Sequence, residues 1–220
     1  MFHPQYFMKN KFTFSNFRLL LAVGMVTVVF NSYAREERNV NNSTTDAGVV
    51  INGVKWATRN VDASGTFAAT PESAGMFYQW NRPKGLPATG TVTGWDSSYP
   101  TGTTWEKSND PCPSGWRVPT IEEQRSLLDT DKVTSERTTQ NGVTGRLFTD
   151  KNSGNSIFLP GAGYRFYSYG TLSGAGAYGY CWSSTQLDSS YACYLSFGSG
   201  GANVGSLSRS FGFSVRCVAE

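Results

Sequence analysis

Four cysteines, one histidine and a few carboxylates are the residues of this 220-residue chain whose types could do chemistry. The histidine, His3, lies ahead of an apolar run at the far N-terminus. If residues 1–34 are removed, no imidazole is left. That excludes His-based acid–base relays, Ser-His-Asp and Cys-His nucleophiles and His-ligated metals. The four cysteines contain no C-x-x-C spacing, so they do not read as a zinc site. Residues 150–155, Asp-Lys-Asn-Ser-Gly-Asn, have the oxygen spacing of a calcium loop but lack its distal Glu. They read instead as a hairpin turn between Phe148 and Ile157. Glu122 and Glu123 point about 100° apart on a helix and do not face one another. The Gly-rich stretch 170–179 carries no Lys-Ser/Thr phosphate grip. These readings name no catalytic residue, no metal ligand and no cofactor.

The cysteines also speak of compartment. Lys9, Lys11 and Arg18 precede a 12-residue apolar run, 19–30, and Ser32-Tyr33-Ala34 places small residues where a signal peptidase reads. Residues 1–34 are therefore expected to be a secretory signal peptide, with a retained membrane anchor as the alternative. Residues 35–47 are polar and aperiodic, and read as a flexible tether. The expected destination is outside the cytoplasm: secreted, periplasmic or cell-surface. The formal net charge of +3 belongs to the leader; without it, sixteen bases meet sixteen acids. A neutral chain is a poor partner for nucleic acid, and no membrane span is expected after cleavage.

In an oxidising compartment, Cys112, Cys181, Cys193 and Cys217 allow three full pairings. Cys112 and Cys217 stand in the motif-like contexts Asp-Pro-Cys-Pro and Val-Arg-Cys-Val. If Trp182 and Leu195 share one core, alternation turns Cys181 and Cys193 to opposite faces. The preferred arrangement is one disulfide, Cys112–Cys217, and two free thiols.

Gly, Ser, Thr and aromatic residues dominate, which favours short strands and many turns in a single domain over 48–220. Asn52-Gly53 between Val49-Val50-Ile51 and Val54-Lys55-Trp56 is a type I′ hairpin signal. Residues 76–80 form a strand or a short helix, and 83–108 are a long loop carrying Trp95 and Trp105. Pro119-Thr120-Ile121-Glu122-Glu123 contains a capping box, and Leu127 and Leu128 give its helix a buried side until about residue 131. Strand-like pieces follow at 146–149, 156–159, 163–167, 178–184, 191–197 and 213–218. One or two helices followed by many short, mostly antiparallel strands is an α+β pattern. Residues 179–213 hold only Asp188 and Arg209 as charges and mix Tyr and Phe with Ser, Gly and Asn. Antibody-like binding surfaces have this composition, and so do plain Gly/Ser-rich strands.

Six ordered motifs carry a resemblance. They are 53–61 (GVKWATRNV), 78–81 (YQWN), 110–120 (DPCPSGWRVPT), 158–165 (FLPGAGYR), 182–185 (WSST) and 212–218 (GFSVRCV). Together they resemble the Fibrobacter succinogenes major paralogous domain family from about residue 48 onward. The resemblance implies a C-type-lectin-like fold of exported and cell-surface proteins. The Glu-Pro-Asn, Gln-Pro-Asp and Trp-Asn-Asp triplets of calcium-dependent lectins are missing; Ser108-Asn109-Asp110 is the nearest.

The last forty residues look like the variable region of target proteins of diversity-generating retroelements. That likeness implies a scaffold of Trp182, Ser183, Ser184, Ala192, Leu195, Phe197, Arg209, Gly212, Ser214, Val215 and Arg216. It implies ligand-binding slots at Cys181, Tyr191, Cys193, Tyr194, Ser196, Gly198, Asn203, Gly205, Ser206, Ser208, Ser210 and Phe211. Randomising the adenines of AAC or AAT codons cannot give Lys, Glu, Gln, Met or Trp, and none of these occupies a slot. The expectation is a non-enzymatic, adhesin-like binder of a protein or glycan ligand, with Tyr191, Tyr194 and Phe211 as anchors. An envelope assembly subunit and a thiol-dependent oxidative enzyme are the alternatives.

Overall fold

The computed structural model describes residues 44–220. The expected signal peptide, and the tether up to residue 43, lie outside the described residues. Of the remaining tether, Asp46 is already docked. Its carboxylate accepts from the Gly48 and Thr58 amides and pairs with Arg59.

The first half of the domain contains β1 (Val49–Ile51), β2 (Val54–Trp56), β3 (Tyr78–Gln79), β4 (Trp116–Arg117) and α1 (Ile121–Ser126). The second half contains β5 (Val133–Gln140), β6 (Val143–Asp150), β7 (Ser156–Pro160), β8 (Tyr164–Arg165) and β9 (Leu172–Ser173). It ends with β10 (Gly179–Gln186), β11 (Tyr191–Gly198), β12 (Gly201–Ser208), β13 (Gly212–Phe213) and β14 (Val218–Ala219). These make four sheets, ordered β1-β2-β14-β4, β3-β13-β8-β9, β5-β6-β7 and β10-β11-β12. Every pairing within a named sheet is antiparallel. Among the described residues the architecture is therefore mostly antiparallel sheet with one short α-helix.

Local chemistry explains the turns. Asn52 and Gly53 take φ 47° and 80°, the left-handed pair that lets β1 fold back on β2 with Ile51 opposite Val54. Asn141 and Gly142 repeat the device at φ 46° and 82° between β5 and β6. The capping box forms as read: the Thr120 hydroxyl accepts from the Glu123 amide, and the Glu123 carboxylate accepts from the Thr120 amide. The helix is shorter than expected, ending at Ser126 rather than near residue 131. The Leu127 and Leu128 amides tighten onto the carbonyls of Gln124 and Arg125, and the Ser126 hydroxyl turns back to the Glu123 carbonyl. Asp150 accepts from the Asn152, Ser153 and Asn52 amides, so its carboxylate closes the β6–β7 turn and holds the first hairpin against it.

Two apolar clusters lie on either side of the β10–β11–β12 sheet. One joins Trp80, Trp105, Trp116, Trp182, Phe211 and Phe213. The other joins Leu127, Val133, Phe148, Leu159, Leu195 and Phe197. Indole N–H groups stitch the first cluster. Trp182 Nε1 donates to the Tyr78 carbonyl at 2.8 Å, and Trp80 Nε1 donates to the Ser183 carbonyl at 2.9 Å. Cys112 and Cys217 form a disulfide, and Cys181 and Cys193 are free.

The long loop 83–108 gains no strand, only single antiparallel bridges from Leu86 to Phe77 and from Thr104 to Thr185 and a 3-10 turn at its end (Lys107–Asn109). Buried guanidinium groups hold it. Arg165 donates to the carbonyls of Pro87, Thr89, Gly90 and Gly170 at 2.6–3.1 Å. Arg209 donates to the carbonyls of Pro100 and Gly102 and to Gln186 Oε1, with its guanidinium 4.2 Å from the Trp80 ring centroid. Arg216 is held the same way by the Ala57 and Phe158 carbonyls and Asn60 Oδ1.

Candidate functional site

Strand alternation sorts the expected slots into two sets. Cys181, Tyr191, Cys193, Ser206 and Ser208 belong to the face that packs on α1 and β5–β7, alongside Leu195 and Phe197. Tyr194, Ser196, Gly198, Asn203 and Gly205 belong to the opposite face, alongside Tyr180 and Trp182. Ser210 and Phe211 lie in the turn that leads to β13. The twelve positions are therefore not one surface.

Burial corrects the set further. Cys181, Ser208, Ser210 and Phe211 are 3%, 8%, 1% and 7% exposed, so they offer no contact area. The reason is that both faces of β10–β11–β12 are packed, where a one-faced sheet would leave alternate residues free. Of the three expected anchors, Tyr191 and Tyr194 point to opposite faces and Phe211 lies beneath the surface. Ten of the eleven expected scaffold residues are buried; Ser184 is half-buried.

The same packing revises the thiol argument. Trp182 and Leu195 lie on opposite faces, each in its own core, so Cys181 and Cys193 share a face. They are unpaired nonetheless. Burial pushes the Cys181 thiol up to about 11, only partly offset by the Arg216 charge. Burial also raises Cys193, against the nearby Arg125. Both thiols stay protonated at neutral pH, which makes them poor nucleophiles.

What is exposed in one place is aromatic. On the Tyr194 side of the sheet, Tyr180 lies 5.6 Å from Tyr194 and 5.0 Å from Tyr164, centroid to centroid. Tyr164 continues to Phe211 at 5.8 Å, and Phe211 to Phe166 and Tyr167 at 5.5 and 5.2 Å. The inner end of this track rests on Phe213, stacked 4.9 Å from Tyr180, and on Trp182. The outer end reaches solvent: Phe166 and Tyr167 are 37% and 43% exposed, and Tyr178, which lies against Gly174 and Gly198, is 48% exposed. Glycine makes the close packing possible. A Cβ on Gly198 would sit 2.7 Å from the Tyr178 ring, and one on Gly205 would sit 2.9 Å from the Tyr194 hydroxyl. The Tyr164, Tyr178, Tyr180 and Tyr194 hydroxyls make no hydrogen bond among the described residues. Burial, and then the neighbouring Tyr164, Tyr194 and Tyr178 phenols, raise the Tyr180 phenol above its ordinary value.

Of the six rings from Tyr194 to Tyr167, only Tyr194 and Phe211 were expected from the sequence. Tyr164, Phe166 and Tyr167 come from the β8–β9 hairpin, outside the stretch that holds the expected slots. The signal was present as four rings in the six residues 164–169. The Ser108-Asn109-Asp110 stretch is used structurally. The Asp110 carboxylate accepts from the Cys112 and Val118 amides, although burial raises its pKa.

Set against known proteins, residues 36–219 match the model of the Fibrobacter succinogenes major domain, and the chain belongs to that family. No curated protein and no solved structure matches the chain.

Proposed function

From this membership we propose that the protein is an exported or surface-displayed, adhesin-like binding module with a C-type-lectin-like fold. Its recognition face is the tyrosine side of the β10–β11–β12 sheet together with the β8–β9 hairpin. One observation carries the reading: the half-exposed rings of Tyr164, Tyr180 and Tyr194, joined through buried Phe211 to exposed Phe166 and Tyr167, with tyrosine hydroxyls at 164, 180 and 194 that have no hydrogen-bond partner among the described residues. Exposed aromatic patches of this kind mark binding surfaces, and rigid tyrosines give contact area at low entropic cost. Tyr194, Ser196, Gly198, Asn203 and Gly205 share that face, so the retroelement reading narrows to these five of the twelve slots. The protonated thiols weigh against a thiol-dependent enzyme.

The DNA around the gene tests the reading. A near-copy of the 3′ end, differing at adenines and next to a reverse transcriptase gene, is expected to carry its differences in the codons of the exposed slots. Differences concentrated in the Cys181 and Ser210 codons would overturn the assignment of the face.

A second reading, an assembly subunit of the envelope, is favoured by β12. It is an eight-residue edge strand without charge or proline, the type of edge that accepts another strand. Size-exclusion chromatography separates the readings: a monomer supports the binding module, a concentration-dependent oligomer the subunit.

A further inference from the structure

The recognition face has a chemical character that selects its ligand. From Phe166 to Ser208 the only charged side chain is Asp188, and its carboxylate accepts from the Ser190 and Tyr191 amides. A charged partner laid on this face would lose its hydration without meeting a counter-charge. A purely apolar partner would cover four phenol hydroxyls and leave them without hydrogen bonds. The fitting partner is neutral, carries apolar C–H surface to lie on rings, and carries hydroxyls to meet hydroxyls. The track from Tyr194 through Tyr180 and Tyr164 toward Phe166 is elongated, which suits a chain of repeating units better than a single one.

Its outer end is fixed before any ligand arrives. The Gly170 Cα lies against the Trp95 ring, where a Cβ would sit 2.2 Å away, and Trp95 Nε1 donates to the Tyr167 carbonyl at 2.7 Å. Arg165 Nη1 holds the Gly170 carbonyl at 3.1 Å. A preset turn reduces the ordering cost of binding.

We propose that this face binds a neutral glycan chain, with pyranose C–H faces on the Tyr164, Tyr178, Tyr180 and Tyr194 rings and sugar hydroxyls on their phenol oxygens. The inference rests on the recognition face proposed above. It needs no metal ion.

The test uses the full exported chain against neutral oligosaccharides of glucose, mannose, galactose and xylose, with polygalacturonate as the acidic comparator and calorimetry as the readout. The expected result is binding of a neutral chain, tightening with chain length and unchanged from about 0.05 to about 0.5 M salt. Y178A with Y167A weakens it roughly thirtyfold, with an unchanged melting temperature, since two ring contacts contribute about 1 kcal/mol each. Y178F, which removes only a hydroxyl, weakens it roughly threefold. Binding of polygalacturonate alone, or affinity that falls steeply with salt, overturns the neutral-glycan inference. If no glycan binds but a displayed peptide library is captured and lost in Y178A/Y167A, the glycan class is wrong and the face stands. If neither probe is captured, both fail.

Discussion

The two faces of the β10–β11–β12 sheet are built from the same three strands and serve different ends. Toward α1 and β5–β7, Cys181, Leu195 and Phe197 close a dry aliphatic and aromatic core. Toward β13 and β8, Trp182 and Phe213 close an equally dry core at the inner end, but the residues give way to tyrosines toward the outside. Burial fades along both faces, but differently: on the α1 side it gives way at Cys193 and the lone exposed Tyr191, whereas on the other side it gives way through neighbouring tyrosines. A sheet packed on both sides can offer a surface only where such a gradient exists, and tyrosine suits it because one ring end packs and the other takes up water.

The harshest way to break the contrast is to remove its shared support. Trp182→Ala should cost about 4 kcal/mol in urea unfolding, because it opens a void beside Phe213 and leaves the Tyr78 carbonyl without its donor. A cost under about 1 kcal/mol would mean that the aromatic core is not what holds the sheet.

Neighbouring positions on β11 sharpen it. Leu195→Ala should cost about 3 kcal/mol, whereas Ser196→Ala, one residue on and facing the other way, should change stability by less than about 0.5 kcal/mol. Equal losses at the two sites would erase the distinction between the faces.

The mildest probe is the thiol pair. In the native protein, iodoacetamide should modify half-buried Cys193 and spare Cys181 until unfolding, as mass spectrometry would show. Cys181 also carries a pH signature. Its folded value is raised from 9.0 to about 11, so above pH 9 the unfolded chain releases the proton first. Stability then falls as pH rises from about 9 to about 11, and C181A should lose that part of the slope. The same decline in C181A would assign it to another group.

Legibility from sequence followed how local each signal is. The Asn52-Gly53 hairpin and the Thr120–Glu123 capping box are decided within a few residues, and both stand as read. The Cys112–Cys217 pair was suggested by its flanking residues. β5 was missed because Val-Thr-Ser-Glu-Arg-Thr-Thr-Gln has no clean alternation, although Asn141-Gly142 marked its turn as plainly as Asn52-Gly53 marked the first. β12 was hidden in a Gly/Ser stretch whose pairing depends on β11. The split of the slots between two faces could not be seen, because it requires knowing that both faces are covered. Arg209 was read as a scaffold position and Arg165 as the end of a motif, but no local signal showed that either guanidinium is buried. Their burial depends on backbone carbonyls brought in by the loop 83–108.

That last arrangement bears on how the molecule can change over generations. Arg165 grips its loop only through main-chain oxygens, and Arg209 holds Pro100 and Gly102 in the same way. A grip on the backbone is indifferent to the side chains the loop carries. Apart from Leu86, Trp95 and Trp105, whose side chains are themselves packed, codons along that loop can therefore drift or be rewritten without loosening its attachment, which leaves the rim beside the recognition face free to diversify on a fixed frame.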